Sequence, residues 1–137
     1  MSLRSPLGRV RGLGSAKEGV QHWWSQRVTA LALVPLVLWF IVSLLSLRHA
    51  EYAVVVGWVG HPFNSALLIL LIISLFYHAI LGLQVVIEDY VHTEALKMSL
   101  LLLMRFGLML LAAVGIIAVV RIAFRAMLPV LPIGTGG

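Results

Sequence analysis

The chain contains no cysteine. No disulfide, thiolate metal site or iron–sulfur cluster can be built from it. Charge is scarce too: 11% of its 137 residues are Asp, Glu, Lys or Arg, against about 25% in soluble domains. Acids are the scarcest, five against ten Lys and Arg, for a formal charge of +5. Hydrophobic residues make up 61% of the chain, and the mean hydropathy is +1.06. A soluble fold of this length would leave about 30% of its extended-chain surface in water, so a soluble enzyme domain is excluded. Disorder is excluded as well, because its signature is low hydrophobicity. What remains is a single integral membrane domain spanning 1–137. In that setting the excess of positive charge reads as an orientation signal and not as a nucleic-acid footprint. Five histidines are the strong metal ligands available.

Three segments meet the length rule of about 20 apolar residues per spanning helix. The first, 28–47, carries no charge and is closed by Arg48 and Glu51; Pro35 lies inside it. A spanning helix accommodates such a proline when neighbours satisfy the freed carbonyl. The uncharged stretch from Tyr52 to Ile87 is too long for one span, and His61-Pro62-Phe63-Asn64 divides it, since Pro and Asn mark turns and helix starts. The second span is then expected at 65–87. The third is expected at 98–120 with Arg105 inside it, ended by Arg121 and Arg125, and 126–137 reads as a flexible tail. The expected fold is all-α: three transmembrane helices and a short interfacial helix near the N-terminus. No internal repeat is visible, and so small a bundle calls for a partner subunit.

Residues 1–27 differ in kind: Arg4, Arg9, Arg11, Lys17 and Arg27 face a single acid, Glu18. Ser15-Ala16-Lys17-Glu18 has capping-box spacing, so a short helix is expected from about residue 16. Trp23 and Trp24 suit the membrane interface. The segment does not read as a cleaved signal peptide, and its glycines and Pro6 oppose an amphipathic transit helix. Counting Lys97 with the five N-terminal basic residues gives six, against Arg48, Arg121 and Arg125 at the opposite ends. That places the N-terminus inside and the C-terminus outside. The second loop is net acidic through Glu88, Asp89 and Glu94, which suits a surface covered by a partner.

The residues able to carry chemistry gather in the second helix and its exit. Histidine inside a span is costly and marks function by default. Ser74, His78 and Gly82 are spaced four apart and share a face. Asp89, eleven residues past His78, returns to within about 20° of that face and lies about 16 Å along the axis. A neutral imidazole suits an axial haem ligand, and Gly82 would clear room for a porphyrin beside it. Tyr90 can donate to a quinone carbonyl, and Asp89 can orient it or deliver a proton. Plainer readings stand beside these. His78 can hydrogen-bond a polar group of a neighbouring helix. Ser74 and Gly82 can be small packing residues. Glu88, Asp89, Tyr90 and His92 can form an ordinary wet helix end. Gln84 can face a partner helix. Arg27 is either a snorkelling anchor beside the tryptophans or a cation for haem propionates or a quinone oxygen. Arg105 is expected to snorkel, with a propionate or a partner's acid as the other option. His49 and His61 read as solvated loop residues; Trp39, Tyr52 and Trp58 read as belt or packing residues.

Two motifs carry a family resemblance. Gly19-Val20-Gln21-His22-Trp23-Trp24-Ser25-Gln26-Arg27-Val28-Thr29-Ala30 ahead of an apolar span resembles the start of the smaller hydrophobic membrane-anchor subunit of succinate dehydrogenase, respiratory complex II. His78-Ala79-Ile80-Leu81-Gly82-Leu83-Gln84 with Glu88-Asp89-Tyr90-Val91 resembles the second-helix motif of that subunit. The likeness covers roughly 15–122. It implies a four-subunit succinate:quinone oxidoreductase. A flavoprotein subunit carrying FAD oxidises succinate, an iron–sulfur subunit relays electrons, and two anchors bind haem b and ubiquinone. His78 then matches the axial haem ligand, the other coming from the second anchor. Tyr90 matches the quinone hydrogen-bond donor, Asp89 its neighbour, and Arg27 a cation near quinone or propionates. Some members have His-Asp where this chain has Gln21-His22, so no role passes to His22, and none to Arg105. The expected location is the bacterial inner membrane, ahead of the mitochondrial inner membrane. The rivals are the anchor of a fumarate reductase or other quinone oxidoreductase, and a cofactor-free structural or assembly membrane protein.

Overall fold

The computed structural model describes residues 17–128. It contains four helices: α1 (Lys17–Leu47), α2 (Tyr52–Gly60), α3 (Pro62–Tyr90) and α4 (Glu94–Met127). Among the described residues there is no strand. Three of the helices are long and apolar enough to cross a membrane, over Gly19–Leu47, Pro62–Tyr90 and Glu94–Met127.

All three outrun the expected spans of 28–47, 65–87 and 98–120. α1 starts at Lys17 and runs without a break into the first span, so the short N-terminal helix is the opening of α1 and not a separate element. Ser15 and Ala16 lie outside the described residues, as do Arg4, Arg9 and Arg11. α3 continues past Ile87 to Tyr90, and α4 begins at Glu94, so the expected second loop shrinks to Val91–Thr93. Lys97 sits in the first turn of α4, where it pairs with Glu94 at 3.7 Å. Arg121 and Arg125 do not end the third helix, which runs on to Met127. Leu128 leaves the α region as the residue before Pro129, whose ring disfavours that conformation. The rest of the expected tail, 129–137, lies outside the described residues. The common cause is physical: apolar length sets the thickness crossed, whereas helical hydrogen bonds persist into polar sequence until a breaker intervenes.

α2 is an element the sequence reading did not separate from the 52–87 stretch. His61, at φ −65° and ψ 127°, both closes α2 and opens α3, and Pro62 occupies the first turn of α3, where its missing N–H costs nothing. Asn64 Nδ2 donates to the Trp58 carbonyl at 2.8 Å and Ser65 Oγ to the Val59 carbonyl at 2.6 Å. The carbonyls that α2 leaves open are thus met from α3. Trp58 stacks on Trp39 of α1, centroids 5.6 Å apart and planes at 22°. A side chain at Gly60 would collide with Ala126 of α4, so glycine permits this crossing.

α3 is the central element. It packs on α1 through the Thr29–His78 and Gln26–Gly82 approaches, and on α4 through Gly115–Ile72 and Gln84–Arg105. Both neighbours run antiparallel to it, because the residue number rises on one helix as it falls on the other. The buried stripe of α3 is Ser65, Leu68, Leu71, Ser74 and Leu81, spaced three to four apart as a helical face requires, apart from one longer step. His78 fills that step, half-buried in the same row.

Candidate functional site

The polar chemistry lies toward the end of the bundle where α1 begins and α3 ends. α1 carries His22, Trp23, Gln26, Arg27 and Thr29 along this end, and α3 brings His78, Gly82, Asp89 and Tyr90 against or beyond them. His78 is fixed by a hydrogen bond to the opposite helix: Nδ1 lies 3.0 Å from Thr29 Oγ1. The same hydroxyl sits 2.7 Å from the Ser25 carbonyl and 3.1 Å from the Gln26 carbonyl. The plain expectation that His78 meets a polar group of a neighbouring helix is therefore met, at Nδ1. Nε2 of His78 makes no hydrogen bond among the described residues.

Four residues nearer the end of α3, Gly82 faces Gln26: a Cβ there would stand 3.6 Å from Gln26 Nε2. Gly82 and Val85 form one wall of a groove of about 470 Å³ whose other wall is Gly19, His22, Trp23, Gln26 and Arg27. A second groove of about 450 Å³ lies on the other side of His22, between Val20, Gln21, Trp24 and Ser25 of α1 and Tyr77 and Leu81 of α3. His22 Nε2 and Gln26 Oε1 are buried without a hydrogen-bond partner among the described residues. Buried polar atoms are normally satisfied, so these two mark a place where the described residues leave polar groups open to a further partner. No role had been assigned to either from the sequence, and only the facing of α1 on α3 brings them to attention.

The guanidinium of Arg27 stacks over the Trp23 ring, 4.3 Å from its centroid. It is anchored as the snorkelling reading expects, and it also stands at the rim of the Gly82 groove. Asp89 and Tyr90 are exposed, Tyr90 at 79%. The helix is continuous through both, so Asp89 keeps its register with His78. Arg27 lies near the level of Leu81, and Tyr90 stands nine residues further along, about 13 Å at 1.5 Å per residue. The structure brings His78 and Gly82 to α1, but it does not bring Arg27 to Tyr90.

Arg105 has a partner on α3 that the sequence reading did not foresee. It donates to Gln84 Oε1 at 2.7 Å, and Gln84 Nε2 donates in turn to Glu88 at 2.8 Å. Gln84 thus links the Arg105 cation to a carboxylate two residues before Tyr90, and both ends of its amide are used. Among the described residues no three His, Asp or Glu side chains gather into a metal-binding group, so His78 stands as a single donor.

Fold and site together define a helical integral membrane subunit, with one histidine row inside the bundle and an open polar end. Comparison with known proteins gives the class a family. The family described as succinate dehydrogenase/fumarate reductase transmembrane subunit matches residues 1–123. The succinate dehydrogenase hydrophobic membrane anchor subunit of Rickettsia bellii is 34% identical over 116 residues, 85% of this chain and 93% of that protein. Its Rickettsia conorii counterpart is 38% identical over 104 residues, 74% and 82% of the two chains. The Paracoccus denitrificans one is 29% identical over 123 residues, 90% and 95%. The chain belongs to the succinate dehydrogenase/fumarate reductase transmembrane subunit family.

Proposed function

We propose that this chain is the membrane anchor of a succinate:ubiquinone oxidoreductase, holding haem b through His78 and forming part of the quinone-reduction site with Tyr90 and Asp89. The observation that carries the reading is the setting of His78. Its ring is held in the α1–α3 seam by Nδ1, and Nε2 has no partner among the described residues. Gly82 presents no side chain along the adjoining groove. His22, with its orphaned Nε2, and the Arg27 cation line the same groove, and both can donate to the carboxylate arms of a flat group; the orphaned Gln26 Oε1 beside them can only accept.

Haem b supplies a one-electron centre when bound. His78 would hold it through Nε2, together with a ligand from the other anchor subunit, and Arg27 would serve as a cation for its propionates or for a quinone oxygen. Tyr90 offers its hydroxyl to a quinone carbonyl, and Asp89 beside it holds or passes a proton. Both are exposed, which suits a pocket closed by partner subunits. With no cysteine in the chain, the iron–sulfur relay belongs to another subunit, and FAD and succinate chemistry to a flavoprotein subunit. The basic N-terminal segment supports an orientation with the N-terminus cytoplasmic and the C-terminus periplasmic. The bacterial relatives support the bacterial inner membrane as its place. The family description spans fumarate reductases as well, and the helices hold nothing that sets reaction direction.

The test is a reduced-minus-oxidised spectrum of the complex purified with its natural partners. A b-type signal that is lost or altered in His78→Ala is expected. Absence of both haem and a flavoprotein from the wild-type complex overturns the reading in favour of a structural or assembly protein, and an unchanged spectrum in His78→Ala moves the ligand elsewhere.

A further inference from the structure

We infer that Thr29 is a positioning residue for His78: its hydroxyl holds the imidazole in the Nδ1–H tautomer and strengthens Nε2 as an electron donor. The inference rests on the assignment of His78 as a haem ligand. A hydroxyl has one hydrogen and two acceptor sites. Thr29 Oγ1 has the Ser25 carbonyl at 2.7 Å and the Gln26 carbonyl at 3.1 Å, and a carbonyl can only accept. The hydrogen is thereby committed to the helix's own backbone, in the back-bonded arrangement known for hydroxyl residues in helices. The oxygen facing His78 Nδ1 at 3.0 Å is left as an acceptor, so Nδ1 carries the proton and donates. The lone pair of the imidazole then resides on Nε2, the nitrogen with no partner among the described residues.

Thr29 is singular in this. Ser43, Ser46 and Ser99 also bond back to their own helices, to Trp39, Val42 and Ala95. None of those hydroxyls reaches a side chain on another helix among the described residues. Threonine suits the task because its β-methyl restricts χ1, so the oxygen has few other directions to take. A donor bond from the far ring nitrogen raises the basicity of a metal-bound histidine and fixes its ring plane. For haem iron this favours the oxidised state and lowers the potential.

The experiment uses the complete complex with Thr29→Val and Thr29→Ser. Valine keeps the shape and removes the acceptor; serine keeps the acceptor. In Thr29→Val the haem content is expected to stay at the wild-type level. Its reduced-to-oxidised ratio, at an ambient potential poised at the wild-type midpoint, is expected to rise about threefold or more. Thr29→Ser is expected to return most of that shift. A potential in Thr29→Val equal to wild type, with haem still lost in His78→Ala, overturns the positioning role and leaves the ligand assignment standing. Haem retained in His78→Ala overturns the ligand assignment itself. Should Thr29→Val fail to assemble, electron–nuclear double resonance on the unaltered oxidised complex with labelled histidine reads the Nδ1 proton directly. A proton hydrogen-bonded to a hydroxyl oxygen supports the inference, and its absence overturns it.

Discussion

Tyr90 is 79% exposed at the last position of α3 and makes no side-chain hydrogen bond among the described residues. Its hydroxyl does nothing for the stability of this chain, so a change there reads out function with little structural interference. Tyr90→Phe is expected to leave the thermal midpoint of the purified complex within the range of an ordinary surface substitution, about 0.5 kcal/mol. It is expected to cut quinone reduction strongly while succinate oxidation by an artificial acceptor continues. Equal loss of both activities would remove Tyr90 from the quinone site. Arg105 shows the opposite condition at the same scale. Its charge lies within the third span, yet it donates to Gln84, which in turn donates to Glu88. The residue types of this trio were visible in the sequence, but their meeting depends on the packing of α3 on α4.

The outer corner is where elements impose constraints that composition does not reveal. α2 and α3 are joined by one residue, His61, and the joint holds because Asn64 and Ser65 reach back to the carbonyls of Trp58 and Val59. α4 crosses this corner so closely that Gly60 has no room for a side chain beside Ala126. Gly60→Val is expected to shift α2 away from α4 and to destabilise the complex by about 1–3 kcal/mol, as overpacking does, measured as a lowered thermal midpoint. Gly57, three residues earlier, has nothing within reach of an added Cβ. Gly57→Ala is the matched control and is expected to be silent. Nothing in the sequence separates the two glycines; only the position of α4 does.

Across the whole molecule, three long helices meet with α3 between the other two, and among the described residues no side chain is completely enclosed. The apolar majority therefore faces lipid or partner subunits. Leu71, 7% exposed on the α3 stripe, and Leu103, 72% exposed on α4, test the division. Leu71→Ala is expected to cost about 2 kcal/mol or more through the cavity it leaves. Leu103→Ala is expected to cost little where lipid covers it, both read by detergent-denaturation titration of the complex. A large loss at Leu103 would mark that face as a subunit contact. The sequence by itself determined the membrane location, the three spans, the candidate histidine and the carboxylate–tyrosine end. Those follow from transfer energies and helical periodicity, which act on each segment alone. The helix ends, the separate α2, the Thr29–His78 bond, the groove beside Gly82 and the Arg105–Gln84–Glu88 chain were decided by tertiary structure. Each depends on how far one helix slides along and rotates against another, and that is settled by packing between segments distant in the chain.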